Sequence, residues 1–342
     1  MTSKMRHFYS TSDLNQETLR HLLERGDWHK TNRQSGDRSA LSLKGQTLVA
    51  VFFDPSLRTR TSFQLAVAEL GGQIVTLEAG AGLWNLESEE NVVMDGSAAE
   101  HIKDAARVLG RYGQALAVRA FPKGNDWSIT RRDNTLNSFC RWAGVPVINM
   151  ESALYHPCQA MADLMTLRER LGNLQGRRIV CTWAPHPKPL PTAVPNSFTL
   201  AASRFGVDLT LACPEGYDLD PDILARIRTQ TESSGGRFQI ERDQQTALEG
   251  AQAVYVKSWG SLDHYGQPDA ESHLRSQHTD WTIDEKRLES TEEAFVMHCL
   301  PVRRGVVLGD DVLDGPRAAV YDQAENRLHA QKAILEWVYR KS

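Results

Sequence analysis

Short apolar runs rich in β-branched residues alternate along this chain with longer segments of helical spacing. Residues 47–53, 145–150, 179–183, 208–213, 253–257, 294–298 and 318–321 each read as a strand, since a short unbroken apolar run fits a strand covered on both faces. Alternation of this kind predicts parallel βαβ units with helices on both faces, hence an α/β fold of two doubly wound parallel-sheet domains. Thr11, Ser12 and Asp13 precede Leu14, Leu19, Leu22 and Leu23, which predicts a capped amphipathic helix ahead of the first strand. The spacing of Leu328, Ile334, Leu335 and Val338 predicts a last helix over 324–339. A boundary is expected near Glu151, giving a first domain at 1–150, a second at 151–322, and a C-terminal helix at 323–342 that packs back on the first.

A length of 342 residues suits two domains, because single cores usually stop growing below that size. The formal net charge is -4 with Lys and Arg dispersed, so nucleic acid is not expected as a partner. The first residues lack the apolar segment of a secretory signal, and no uncharged run is long enough to span a bilayer; a cytoplasmic protein with no membrane partner is expected. Five cysteines, odd in number and far apart, predict free thiols and no structural metal. No cofactor is expected.

The strongest chemical signal is Phe53-Asp54-Pro55-Ser56-Leu57-Arg58-Thr59-Arg60-Thr61-Ser62, where a strand runs into hydroxyl and guanidinium groups and then into a helical pattern. Helix-start amides, hydroxyls and a forked guanidinium converging on one point suit a phosphate. The alternative is an N-cap flanked by solvated arginines. Gly80-Ala81-Gly82-Leu83, ahead of Trp84, lacks the third glycine of a dinucleotide turn, which argues against a nicotinamide site.

Ser56-Leu57-Arg58-Thr59-Arg60 resembles the phosphate signature of the aspartate/ornithine transcarbamylase family. Three further motifs follow in the family's order: His156-Pro157-Cys158-Gln159 with Asp163, His298-Cys299-Leu300-Pro301, and Glu325-Asn326-Arg327. The resemblance implies carbamoyl phosphate held by Ser56, Leu57, Arg58, Thr59, Trp84, Arg119, His156, Pro157, Cys158, Gln159, Cys299, Leu300 and Arg327. It assigns the developing oxyanion to Thr59, Arg119 and His156, and orientation of the incoming amine to the Cys299 sulfur and the Leu300 carbonyl. Nothing local promises an activated thiolate and carbamoyl phosphate is already activated, so a covalent cysteine is not expected. Departing phosphate can take the proton. The resemblance also implies a homotrimer in which Trp84 enters the neighbouring site, and domains that close over the substrates. Arg58→Ala and Arg119→Ala are each expected to abolish turnover with little loss of folding.

Within the family the chain resembles the N-acylornithine branch. Val256-Lys257-Ser258-Trp259-Gly260 stands where ornithine enzymes carry an amine-binding Asp, and a Lys suits an acylated α-nitrogen beside a carboxylate. Trp183-Ala184-Pro185-His186-Pro187-Lys188-Pro189-Leu190 resembles that branch too, which implies an acyl-pocket wall and a knotted second domain. On its own, a proline-rich run is an extended linker or docking ligand. The resemblance makes Glu151, His186, Lys257, Leu300 and Arg303 the acceptor-side residues.

Acetyl-type enzymes carry a Glu where this chain has Ala99 and a Lys where it has Val307. An acid at about 4 Å would oppose a succinyl carboxylate by ~1 to 4 kcal/mol. The expected reaction moves the carbamoyl group onto N-succinyl-L-ornithine, giving N-succinyl-L-citrulline and phosphate, a step of arginine biosynthesis. N-acetyl-L-ornithine is the alternative, favoured by Phe121-Pro122-Lys123 and Asp126-Trp127-Ser128, which resemble the acetyl type. Free ornithine as acceptor, or a non-catalytic binder of phosphate metabolites, are the remaining readings.

Overall fold

The computed structural model describes residues 5–35, 42–80 and 84–340. Its strands are β1 (Thr47–Phe52), β2 (Gln73–Glu78), β3 (Leu86–Glu87), β4 (Glu100–His101), β5 (Ala115–Arg119), β6 (Val147–Glu151), β7 (Arg178–Trp183), β8 (Asp208–Ala212), β9 (Arg237–Glu241), β10 (Ala253–Lys257) and β11 (Phe295–Met297). Its α-helices are α1 (Gln16–Ser35), α2 (Leu57–Glu69), α3 (Ile102–Tyr112), α4 (Trp127–Thr130), α5 (Asn134–Trp142), α6 (Pro157–Leu171), α7 (Ala193–Ala202), α8 (Pro221–Ser234), α9 (Gln244–Leu248), α10 (Pro268–Ser276), α11 (Asp310–Leu313) and α12 (Val320–Tyr339). Among the described residues no helix is long and apolar enough to cross a membrane.

Two compact units divide the chain. The first holds Met1–Lys123, Thr130–Cys158 and Arg327–Ser342, the second Gly124–Ile129 and Gln159–Asn326. The division therefore falls inside α6 and α12, and Glu151 and His156 belong to the first unit.

The first unit has the parallel sheet β2-β1-β5-β6. Val49, Val51, Leu116, Val118 and Val147 pack in one cluster with Ile102, Leu136 and Phe139 of α3 and α5. The chain leaves β1 outward to β2 and returns to β5 on the other side, so the sheet's direction of winding changes between β1 and β5. In such sheets ligands bind beyond the carboxyl ends at that point. β3 and β4 form a separate two-stranded pair.

In the second unit the parallel order is β11-β10-β7-β8-β9, and winding changes between β7 and β10. Trp183 and Lys257 are register partners at those two carboxyl ends. Trp183 meets Tyr217 at a tilt of 45° with ring centroids 4.7 Å apart, and Trp281 edge-on at 6.1 Å.

Three element predictions are corrected. Residues 318–321 are not a strand: Ala318 makes one bridge to Val296 and α12 starts at Val320. The run spans the entry into α12, with Ala319 and Val320 buried and Tyr321 exposed, and a run this short cannot be told from a strand by periodicity. Thr11–Asp13 form a 3-10 turn capped by Ser10, and α1 begins later, where the Asn15 side chain accepts from the Thr18 amide at 2.7 Å. The edge strands β2 and β9 went unpredicted, their alternating exposure breaking the apolar run, as did the short β3 and β4 and the buried central strand β5.

Candidate active site

The donor-side candidates gather at the carboxyl ends of β1, β5 and β6. Phe53 donates its amide to the Arg119 carbonyl at 2.9 Å, Ala120 to the Glu151 carbonyl at 2.9 Å, and Phe121 to the Asp54 carboxylate at 2.8 Å. These bonds stitch three adjacent strand ends. Ser56, in extended backbone, caps α2 by accepting from the Thr59 amide at 3.2 Å. The α2 N-terminus thus carries Arg58 and Thr59 in its first turn, an arrangement suited to an anion. Thr59 is buried, and its hydroxyl accepts from the Arg327 guanidinium of α12 at 2.8 Å. Leu57 points outward, 77% exposed, so its backbone is the part available to a ligand at the helix start.

Arg119, Glu151 and His156 form a buried triad. The Glu151 carboxylate pairs with the Arg119 guanidinium and lies 3.2 Å from His156 Nε2. Arg119 also sits over the Phe121 ring, 4.5 Å from its centroid. A buried cation without a counter-ion is costly, and Glu151 supplies that counter-ion. Glu151 lies in the first unit beside Arg119 and His156; the sequence reading placed it among the acceptor-side residues. Pro157, Cys158 and Gln159 open α6 and are buried. Cys158 donates to the Asn149 carbonyl, Sγ to O 3.4 Å. Burial pushes its thiol up to about 12, against an opposing pull from Arg327. All five cysteines are free thiols.

The acceptor-side candidates lie at the carboxyl ends of β7, β10 and β11. Lys257 closes β10, is buried, and donates from Nζ to the Ser258 carbonyl at 3.0 Å, with no ion pair among the described residues. Ser258 donates its hydroxyl to the Pro185 carbonyl at 3.2 Å, and the Trp183 indole donates to the Trp259 carbonyl at 2.9 Å. The Gly260 amide donates to the Leu190 carbonyl at 2.9 Å, and a Cβ at Gly260 would come within 2.7 Å of Pro189 Cβ. The proline-rich segment is accordingly tied to the β10 end at Pro185 and Leu190, while Pro187, Lys188 and Pro189 between them are exposed. It holds His186, whose Nδ1 is 2.8 Å from the Lys188 carbonyl. Burial lowers the His186 pKa; the Lys188 hydrogen bond opposes this, and the charges of Lys257, Arg303 and Arg275 lower it further. Arg303 is exposed and makes no ion pair among the described residues. Arg275 is already paired, 2.9 Å from Glu271.

Beyond β11, the His298 amide donates to Gln323 Oε1 at 2.9 Å and the Leu300 amide to His298 Nδ1 at 2.9 Å. Leu300 has φ 54°, a left-handed conformation uncommon for Leu. Gln323 also donates to Asp163 at 2.7 Å, as Gln159 does at 2.8 Å. Gln323 was not singled out from sequence; its spacing after Pro301 carries no signal, and only the fold brings it to this turn.

The two acyl-selectivity candidates differ. Ala99 is exposed, and its amide donates to the Asn85 carbonyl at 3.1 Å, which ties it to the residue after Trp84. Trp84 is 68% exposed. Residues 81–83 of the glycine-containing segment lie outside the described residues. Val307 is 1% exposed, with its side chain inside the second unit, so a direct contact with an acceptor is not open to it.

Two doubly wound units, one with helix-start amides and arginines at its switch point and the other with lysine and arginine at its own, define an enzyme built for anionic substrates. Residues 6–169 match the family model of the aspartate/ornithine carbamoyltransferase carbamoyl-P binding domain, and residues 191–338 match the Asp/Orn binding domain. The chain belongs to the aspartate/ornithine carbamoyltransferase family, and it is a carbamoyltransferase. It is 43% identical over 334 residues to the N-acetylornithine carbamoyltransferase of Xanthomonas campestris pv. campestris, covering 97% of each chain. It is 38% identical over 295 residues to the N-succinylornithine carbamoyltransferase of Bacteroides thetaiotaomicron, covering 86% of this chain and 87% of that one. The crystal structure of an N-acetyl-L-ornithine transcarbamylase variant with Ala in place of a Glu, complexed with carbamyl phosphate and N-succinyl-L-norvaline, matches with TM-score 0.94 at 43% identity. The match covers 98% of this chain and 100% of that one. The expected architecture of two parallel-sheet α/β domains is borne out.

Proposed function

We propose that this carbamoyltransferase moves the carbamoyl group of carbamoyl phosphate onto the side-chain amine of N-succinyl-L-ornithine. The observation that carries the choice of acyl group is the exposed methyl of Ala99, whose amide is bonded to the residue after Trp84, at a position where the resemblance implies a Glu in acetyl-type enzymes. Variants of an N-acetyl-L-ornithine transcarbamylase in which one Glu is replaced by Pro, Ala, Ser or Val are each complexed with carbamyl phosphate and N-succinyl-L-norvaline. Charge supports the same reading. N-succinyl-ornithine carries two carboxylates, and Lys257 and Arg303 are two cations without ion pairs among the described residues of the second unit.

Phosphate rests on the α2 start and Arg58, while Thr59, Arg119 and His156 donate to the carbamoyl oxygen as charge develops there. The neutral amine attacks the carbonyl carbon, the new C–N bond forms, and the C–O bond to phosphate breaks. Phosphate leaves with the amine proton. Leu300 and Cys299 orient the amine. Glu151 keeps Arg119 and His156 aligned. Trp84, exposed as few tryptophans are, enters the site of a neighbouring copy in a homotrimer.

The test is kcat/KM with carbamoyl phosphate and N-succinyl-L-ornithine, N-acetyl-L-ornithine and free ornithine as acceptors. The succinyl compound is expected to lead by tenfold or more, and parity or an acetyl lead would overturn the acyl assignment. Turnover of free ornithine alone would overturn the acylornithine reading.

A further inference from the structure

Asp133 stands at the N-cap of α5, yet its carboxylate makes no capping hydrogen bond. An Asp in this position ordinarily serves its own helix. Here the backbone is left-handed, φ 51°, and the side chain is turned inward and buried. It accepts from the Ser152 hydroxyl at 2.7 Å, the Ala153 amide at 2.7 Å and the Leu154 amide at 3.4 Å. Burial pushes its pKa up, and bonds from Ser152, Ala153, Leu154 and Tyr9 act against that. A buried carboxylate and an uncommon backbone conformation together are costly, and they persist only where the surroundings over-determine them.

What those bonds hold is the short turn between β6 and α6. The Ser152 backbone amide donates to the Tyr155 carbonyl at 2.8 Å, and the buried Asn149 side chain donates from Nδ2 to Ser152 Oγ at 3.1 Å and to the Tyr9 carbonyl at 3.1 Å. Glu151 precedes this turn and His156 follows it. Both ends of the clamped segment are therefore members of the buried triad with Arg119.

We propose that Asp133 is a positioning residue for carbamoyl transfer: by clamping the 152–154 backbone it fixes His156 and Glu151 relative to Arg119. The inference rests on the proposed donor-side role of His156. Asp133 itself touches no reacting atom. Releasing the turn shifts His156 by a fraction of its hydrogen-bonding range, and a displacement near 1 Å can cost about 100-fold in rate.

The experiment compares wild type, Asp133→Ala, Asp133→Asn and Ser152→Ala, each assayed well below its own Tm. Asp133→Ala is expected to lower kcat ~30- to 100-fold and to weaken carbamoyl phosphate binding by calorimetry at least threefold, leaving the acceptor KM within twofold. Asp133→Asn keeps one acceptor for the Ala153 amide but turns an N–H towards Leu154, so it should recover part of the loss. If Asp133→Ala does not fold, Ser152→Ala removes one bond and should lower kcat several-fold. A fall in Tm with unchanged kcat and carbamoyl phosphate affinity would mean a purely structural clamp and overturn the proposal. Failure of wild type to use any acylornithine would instead sink the functional reading, and the calorimetric arm would still judge Asp133.

Discussion

The two candidate regions treat charge in opposite ways. In the first unit Arg119 is buried against Glu151, with His156 on the same carboxylate, and Thr59 is bonded by Arg327. Its polar groups are compensated within the unit before any substrate arrives. In the second unit Lys257 has a backbone carbonyl for its ammonium and Arg303 makes no ion pair among the described residues; burial lowers the His186 pKa, and the charges of Lys257, Arg303 and Arg275 lower it further. The first region is preorganised for a charge that develops during reaction; the second keeps positive charge waiting for one that the acceptor brings. A buried, compensated cation aligns, whereas an uncompensated one selects.

Breaking the first region should have the largest effect. Arg58→Ala is expected to lower kcat by a factor on the order of 1,000 with Tm nearly unchanged, as Arg58 is only half-buried. Arg119→Ala should lose as much activity and also stability, ~3 kcal/mol, because Glu151 would stay buried without its counter-ion. The sequence alone suggested little loss of folding for both, and steady-state kinetics beside thermal melts separate the two. Retained kcat in either variant would remove it from the site.

Breaking the second region should act on the acceptor. Lys257→Met is expected to raise the acceptor KM roughly 10- to 30-fold, a loss of about 1.4 to 2 kcal/mol, with the carbamoyl phosphate KM unchanged. The same variant removes a repelling cation from His186, so its pKa should rise towards the ordinary histidine value in an NMR titration. An unmoved titration would place Lys257 electrostatically apart from His186.

A smaller effect lies outside both regions. Glu336 of α12 is half-buried, which opposes its charge, but Arg25 at 2.5 Å, His29 at 3.2 Å and Ser42 at 2.9 Å hold it down to about 2. A carboxylate depressed in the folded state stabilises above its unfolded value near 4.5, and that stabilisation is lost as pH falls from there towards about 2. Glu336→Gln should lower stability at neutral pH by ~1 to 2 kcal/mol and flatten this acid limb in urea titrations. Activity per folded molecule should be unaffected.

Legibility in the sequence followed burial. β1, β7, β10 and β11 are covered on both faces and announce themselves as apolar runs, and β8 reads as one with two half-buried positions; β5 is the exception, fully buried yet not read as a strand, its Ala-Leu-Ala-Val-Arg having a single β-branched residue. β9, Arg-Phe-Gln-Ile-Glu, is an edge strand whose alternate side chains face water, so it reads as mixed polarity. The Ser56 to Arg60 segment was readable because cap, hydroxyl and guanidinium are contiguous. Asp133 was not: within Arg131-Arg132-Asp133-Asn134 it looks like a solvated cap, and its partners lie some twenty residues on. Glu151 was noticed as an acceptor-side candidate, but its ion pair with Arg119 was not legible, because only the fold shows which cation its carboxylate meets.

The central claim is that the exposed position beside Trp84 decides which acyl group this carbamoyltransferase accepts. The most direct measurement is the ratio of kcat/KM for N-succinyl-L-ornithine to that for N-acetyl-L-ornithine in wild type and Ala99→Glu. A succinyl preference that falls by roughly one to three powers of ten, with carbamoyl phosphate kinetics unchanged, is the predicted result. An unchanged ratio would contradict the account and move acyl selection away from Ala99.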